Sequence, residues 1–363
     1  MILWVPNARP PSLYVLKPIH TGKMPSLDGP RLHDNARAGR ETVLLFDTNV
    51  IGQMYDFAMA GGRHEQLAEF GLDQLIRVLN LSGDGRLALT AGLASRELTP
   101  AMASRFHRVY EWFLGRFAPQ YVDHPFSLPP DLWVPREDNG FWDKPYEDQI
   151  AFALPYALLL LMQVVMIDDS ERNATDRFER FVRLVLAEID VLSAKEMEIA
   201  RWCFSPAIDR DPAYGRRRKA MIWNFTRMGG KRPRSALDLR RIALNGAYDL
   251  FLITAAVHAD AHGLDGVAQD TWITTYDGKL ARYCELFSYA PAGSLSGAIV
   301  ARTEVPTDRD PGYWRSTADF LRQLELDRVR RALRKTYQPD EMIERVRRIE
   351  AIVASIAKSK VSP

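Results

Sequence analysis

The stretch VLLFDTNV, Val43 to Val50, decides how the rest of the chain is read. ETVLLF, just before Asp47, is a short apolar run of β-leaning residues, and an acid, a hydroxyl and an amide follow at once. A short apolar run bounded by such residues reads as a buried strand. The next segment, VIGQMYDFAMAGG, turns helical and closes on Gly61 and Gly62. A carboxylate is therefore expected where a hydrophobic strand surfaces and hands over to a helix, the edge at which open α/β sheets form sites.

Working outward, GLDQLIRVLN reads as a second helix and GRLALTA, after the SGDG turn, as a second strand. TPAMASRFHRVYEWFLGRF reads as a helix with Thr99 as N-cap and Pro100 at its first position. The pattern resumes late in the chain. GAYDLFLITAAVHADAHG is a helix stopped by Gly263, TWITTYD a strand, and KLARYCELF and GAIVART one more helix and strand. Such alternation predicts an α/β fold, a parallel sheet flanked by helices.

The expected division has an extension over 1–40, a first α/β part over 41–117, a mostly helical insertion over 118–241, a second α/β part over 242–303 and C-terminal helices over 304–363. SLYVLKPI is the one short strand expected in the extension. The insertion holds the uncharged IAFALPYALLLLMQVVMI, Ile150 to Ile167, and then DRFERFVRLVLAEIDVL with Phe178, Phe181, Val185, Ile189 and Leu192 at helical spacing. In the tail, Met342, Val346, Ile349, Val353 and Ile356 make an apolar stripe.

Composition excludes several classes. At 363 residues the chain exceeds one ordinary hydrophobic core, and 47% hydrophobic with 26% charged residues is usual for a soluble protein. A formal net charge of +2 names no partner. Two cysteines, Cys203 and Cys284, exclude a disulfide scaffold and a multi-cysteine zinc site, and read as core residues of a reducing cytoplasm. The N-terminus carries no secretory pattern, so a cytoplasmic protein is expected. Ile150 to Ile167 approaches the roughly 20 residues that span a bilayer. Pro155, Gln163 and acidic flanks make it a buried core helix or a subunit interface instead, with no membrane partner.

Asp47 and Asp277 both follow strands, Glu97 lies just beyond the second strand, and Asp249 is placed near the start of its helix, where the dipole favours an anion. These four carboxylates are expected on one rim. Two unit charges about 4 Å apart repel by roughly 4 kcal/mol at an effective dielectric near 20, so the cluster calls for protons or a cation. Oxygen ligands suit Mg²⁺ or Mn²⁺, and metal-activated water is the matching attack on a phosphodiester.

Order, flanks and placement of these residues resemble the PIN-domain nucleases: LLFDTNV resembles that family's first motif, YDLFLITAAV its third and ITTYDGKL its fourth. The second motif is a lone helical acid, for which Glu97 and Glu111 both stand as candidates. The resemblance covers only the two α/β parts. It implies a PIN-like fold, catalytic and metal-binding roles for Asp47, Glu97, Asp249 and Asp277, and Asn49 and Thr275 as polar groups beside metal or phosphate. It further implies an endoribonuclease hydrolysing RNA, in the role of a toxin held by an antitoxin or other protein inhibitor, a defence factor or a processing factor. Two alternatives stand beside it: a PIN fold kept as a nucleic-acid or protein-binding module, and a nuclease for structured DNA.

The run GRRRKAMIWNFTRMGGKRPRSALDLRR holds ten cations against Asp238 alone. Arg216, Arg217, Arg218, Lys219, Lys231, Arg232 and Arg234 are expected to neutralise phosphates, with Trp223 and Phe225 either stacking on unpaired bases or packing inward. His258 and His262 have zinc spacing, yet nine residues of helix turn about 900° and put His258 on the face opposite Asp249. No phosphate-binding Gly loop and no G-x-S-x-G elbow occurs. The amphipathic tail helices read as docking on their own domain, as an RNA-binding tail or as a pairing surface for another chain, a second copy included.

Overall fold

The computed structural model describes residues 10–20, 23–81, 87–123, 127–128, 132, 140–168, 173–207, 211–227, 233, 235–291, 299–303, 311–332 and 338–360. Two compact units divide the chain, Met1–Asn139 with Leu252–Val300, and Gly140–Phe251 with Ala301–Pro363.

The first unit opens with β1 (Tyr14–Leu16), α1 (Gly29–Arg37), β2 (Arg40–Phe46) and α2 (Thr48–Met59). It continues with α3 (Leu72–Leu79), β3 (Leu87–Thr90), α4 (Gly92–Ser95) and α5 (Pro100–Phe117). In the second unit follow α6 (Tyr146–Asp168), α7 (Ala174–Glu188), α8 (Ala194–Phe204) and α9 (Pro212–Phe225). The long α10 (Ala236–His262) runs through the division, and β4 (Ala268–Thr275), α11 (Gly278–Leu286), β5 (Phe287–Pro291) and β6 (Ile299–Thr303) come next. Last are α12 (Pro311–Ala332) and α13 (Pro339–Lys360).

One four-stranded sheet has the order β1-β4-β2-β3. β2 runs parallel to both neighbours, with Val43 opposite Ala88 on one side and Thr271 on the other. Thr42 to Phe46 are all buried, as are seven of the eight residues of β4, which is why both strands read as unbroken runs and not as alternations. The expected strand in SLYVLKPI is present as β1, and it lies antiparallel along β4, Tyr14 opposite Thr275. The sheet is thus mostly parallel, closed on one edge by a strand from the segment read as an extension. GAIVART differs from expectation too: among the described residues it forms β6, which pairs with β5 in a separate two-stranded sheet.

Helix boundaries follow local chemistry. Thr99 accepts a hydrogen bond from Met102 N–H and Pro100 starts α5, as its sequence predicts. Val50, Ile51, Met54 and Phe57 of α2 pack with Val109 and Phe113 of α5 in the core of this unit. The Phe57 ring meets Phe70, Phe113 and Phe117 edge-on at 5.7, 6.2 and 5.8 Å. The SGDG turn lies outside the described residues.

In the second unit α6 is the core helix expected, with Leu158 to Met162 fully buried. By length and composition α6 and α10 are each apolar enough to cross a membrane, but 72% and 67% of their most apolar stretches are buried inside the protein. Met342, Val346, Ile349 and Val353 of α13 form the buried stripe predicted, while Ile356 is half-buried. Glu350 of α13 accepts from Tyr156 Oη at 2.6 Å and Trp142 Nε1 at 3.0 Å, so this buried carboxylate is satisfied.

One sequence expectation is corrected here, and one left open between two readings is decided for Phe225. α10 begins at Ala236, well before GAYDLF, with Ser235 Oγ accepting from Asp238 N–H. Asp249 therefore lies in the middle of the helix and gains nothing from its N-terminal dipole. Phe225 is fully buried and packs against Gly246 and cannot stack on a base, whereas Trp223 is half-buried.

Candidate active site at the carboxyl ends of two strands

Asp47 and Asp277 end neighbouring parallel strands. The Asp47 N–H donates to Thr274 O at 3.0 Å, extending the β2–β4 ladder by one bond past Phe46. Asp277 follows β4 by two residues and caps α11, its Oδ1 accepting from Lys279 N–H at 2.6 Å. Both acids stand at helix starts, but only Asp277 makes a capping hydrogen bond; α2 receives none from the Asp47 side chain. The capping explanation, sufficient for one acid, fails for the other.

Thr275 and Asn49 lock the pair together. Thr275 Oγ1 donates to Asp47 Oδ2 at 2.6 Å and accepts from Asp277 N–H at 2.8 Å. Asn49 Oδ1 accepts from Tyr276 N–H at 2.8 Å, which fixes the amide so that Nδ2 faces Asp47 Oδ2, at 2.6 Å, and Thr275 Oγ1, at 3.0 Å. Asp47 Oδ2 thereby takes two donors. Among the described residues no side-chain hydrogen bond reaches Asp47 Oδ1 or Asp277 Oδ2, and the Thr48 and Asn49 backbone amides also act on the Asp47 carboxylate.

Asp47 is buried, at 6% exposure, and its pKa is pushed up to about 6. Burial is the main cause, the Asp277 charge adds to it, and the Thr275 hydroxyl and the Asn49 and Thr48 amides act against it. A buried carboxylate that feels the charge of a second one is where a cation would be strongly held.

The other sequence candidates divide. Glu97 follows α4, and its N–H donates to Ala94 O at 3.2 Å, the same carbonyl that takes the Thr48 hydroxyl at 3.2 Å. The turn bearing Glu97 is thereby tied to the first residue of α2. Glu111, on α5, lies 3.1 Å from His107 Nε2 one turn earlier and is a quarter exposed. Asp249 belongs to the second unit, and eleven residues, about three turns, place it on the face of α10 that also carries Asp260. Among the described residues no three His, Cys, Asp or Glu side chains come together closely enough to hold a metal ion. Within the first unit the described carboxylates of the site are a pair.

On α9, Arg216, Arg217 and Lys219 are exposed, while Arg218 Nε donates to Ser205 O at 2.6 Å. Lys231, Arg232 and Arg234 lie outside the described residues. The His258 and His262 rings lie 4.6 Å apart, tilted by 50°, on the exposed end of α10.

Sequence reasoning missed a second charged cluster, at the opposite end of β4. Asp270 is fully buried and takes both nitrogens of Arg31, at 2.9 and 2.8 Å, Asn35 Nδ2 at 2.7 Å and Trp272 Nε1 at 2.9 Å. Lys17 Nζ bridges Asp270, at 2.7 Å, and Asp260. Burial alone would raise the Asp270 pKa, but Arg31 and Lys17 hold it far below the ordinary carboxylate range. Lys17, Arg31 and Asn35 are each more than 230 positions from Asp270, so no local spacing announces them.

No protein-family model, no curated protein and no solved structure matches this chain.

Proposed function

We propose that the chain is a metal-dependent endoribonuclease of the PIN type, hydrolysing RNA phosphodiester bonds at the Asp47–Asp277 rim. The observation that carries the reading is the hydrogen-bonded arrangement of Asp47, Asn49, Thr275 and Asp277 at the carboxyl ends of β2 and β4.

The donor set fits Mg²⁺ or Mn²⁺. These ions take oxygen ligands and are held through one or two carboxylates, with waters and substrate phosphate filling the remaining positions. Asp47 Oδ1 and Asp277 Oδ2 are the oxygens that would hold the ion, and its charge would offset the repulsion that raises the Asp47 pKa. When bound, the ion supplies an activated water and steadies the departing oxygen. The chain's own residues orient the carboxylates: Thr275 and Asn49 both donate to Asp47 Oδ2 and so fix the plane of that group. Glu97 (or Glu111) and Asp249 join the site on the resemblance alone. A cytoplasmic setting and control by a protein inhibitor belong to the same proposal.

Labelled single-stranded RNA and DNA, incubated with the full chain and Mg²⁺, Mn²⁺ or chelator, test it. Cleavage of RNA that needs the metal and is lost in Asp47→Asn supports the reading. Full activity in that variant removes it. Metal binding without cleavage of either polymer identifies a binding module instead, and preference for structured DNA changes the polymer.

A further inference from the structure

We propose that Tyr14, on the antiparallel edge strand, is a substrate-contacting residue of this site, its phenol hydroxyl donating to a phosphate oxygen of the bound nucleic acid beside Asp277. The inference deepens the nuclease reading and rests on it for the class of ligand.

Register supplies the first step. Tyr14 stands directly opposite Thr275 across the β1–β4 ladder, and residues opposed in an antiparallel pair project to the same face of the sheet. The Thr275 hydroxyl reaches Asp47, so the Tyr14 ring rises on the side of the sheet that carries the carboxylates. Its tip extends to the start of α11. A Cβ built on Gly278, the residue after Asp277, would lie 3.4 Å from Tyr14 Oη and 3.8 Å from Cε2 and Cζ. The phenol thus lies over the residue that follows Asp277, one with no side chain of its own.

The hydroxyl is also uncommitted. Tyr14 is half-buried, and its Oη has no hydrogen-bond partner among the described residues. The neighbouring Tyr276 behaves differently, donating to Gly71 O at 2.9 Å. Nor is β1 a loose arm. Leu13 N–H donates to Gln74 Oε1 at 3.0 Å, and Gly71, at φ +71°, lets the Pro11 carbonyl approach to where a Cβ would be only 2.5 Å away. Backbone pairing and this clamp hold the ring in place before any ligand arrives. A phenol O–H aimed at an anionic phosphate oxygen makes a charge-assisted bond, and the two carboxylates alone would repel the same phosphate.

The test uses the full chain and a fluorescein-labelled single-stranded RNA. Steady-state cleavage with Mn²⁺ compares wild type with Tyr14→Phe, and fluorescence anisotropy measures RNA binding in wild type, Tyr14→Phe, Asp47→Asn and the double variant. Loss of one hydrogen bond to a charged group predicts a roughly tenfold rise in KM, the same factor in binding, and a loss that falls on KM more than on kcat. An unchanged melting temperature shows that the Tyr14→Phe fold is intact. Tyr14→Phe binding and cleaving as wild type does overturns the inference and leaves the nuclease reading standing. Wild type that binds RNA without cleaving it, more tightly than Tyr14→Phe, overturns the nuclease reading and supports the Tyr14 contact. Absence of both binding and cleavage in wild type removes both.

Discussion

Thr275 Oγ1 donates to Asp47 Oδ2 across 2.6 Å from a position 228 residues further along the chain. That bond makes the site one object, because the same hydroxyl accepts from the Asp277 amide and so transmits the position of one acid to the other. It also opposes, without cancelling, the effect of burial on Asp47.

Asp47 should leave a signature in the pH dependence of stability. Its pKa is about 6 in the folded state against 3.8 ordinarily, so the folded chain binds this proton more tightly than the unfolded one. Stability therefore falls as pH rises through that window, by about 3 kcal/mol once both states are ionised. Urea unfolding of Asp47→Asn should show this slope flattened and a higher midpoint at pH 7.5 than wild type. An unchanged slope in the variant means that Asp47 is not the group responsible.

Metal addition should act through the same residue. A ligand that binds only the folded state at about 100 times its Kd stabilises by about 2.7 kcal/mol. Thermal unfolding of the wild type at pH 7.5 should shift upward with Mg²⁺ or Mn²⁺ at saturation, and the shift should vanish in Asp47→Asn. Equal shifts in both proteins place the ion elsewhere.

The site was legible in sequence where the structure is local, and invisible where it is not. β2 and β4, buried on both faces, announce themselves as apolar runs, and Asp47, Asn49, Thr275 and Asp277 fall within two or three residues of the strand ends. The start of α10 was hidden because Arg240 and Arg241 made its first turns look like a solvated basic run. Pairing of β1 with β4 depends on Lys17 meeting Asp260 and Asp270, residues more than 240 positions away, and no window of sequence contains them together.

Lys17 gives a direct test of that hidden cluster. Its ammonium is 4% exposed and serves two carboxylates, one of them fully buried. Lys17→Met removes the cation that Asp260 and Asp270 share and leaves Asp270 with Arg31 as its cationic partner beside the Asn35 and Trp272 donors, and breaking a buried pair costs about 3–5 kcal/mol. The contribution of Asp270 is present above the ordinary aspartate range and is lost as pH falls towards its lowered folded pKa. Denaturant midpoints should therefore differ most between wild type and Lys17→Met at neutral pH and converge in acid.

Gly246 is a packing requirement inside α10. A Cβ there would lie 2.7 Å from Leu159 Cδ1 and 3.2 Å from Phe225 Cδ1, both in fully buried side chains. Alanine gains about 1 kcal/mol in helix propensity, but overpacking a close core costs about 1–3 kcal/mol. Gly246→Ala should be neutral to destabilising by up to about 2 kcal/mol in urea unfolding. A gain in stability shows that Leu159 and Phe225 yield.

The basic helix α9 separates phosphate contacts from structural ones within a single turn. Arg216 and Lys219 are exposed, whereas Arg218 is turned back onto the Ser205 carbonyl at 2.6 Å. If α9 meets RNA, Arg216→Ala and Lys219→Ala should each weaken binding and reduce the slope of log K against log salt by about 0.7, the value per phosphate for a single strand. Neither should move the melting temperature. Arg218→Ala should do the reverse, costing about 1–3 kcal/mol of stability through an orphaned carbonyl while leaving the salt slope as it was. Salt titrations of RNA binding for the three variants, beside their unfolding curves, read both quantities. Identical slopes in all four proteins assign the charge of α9 to solvent.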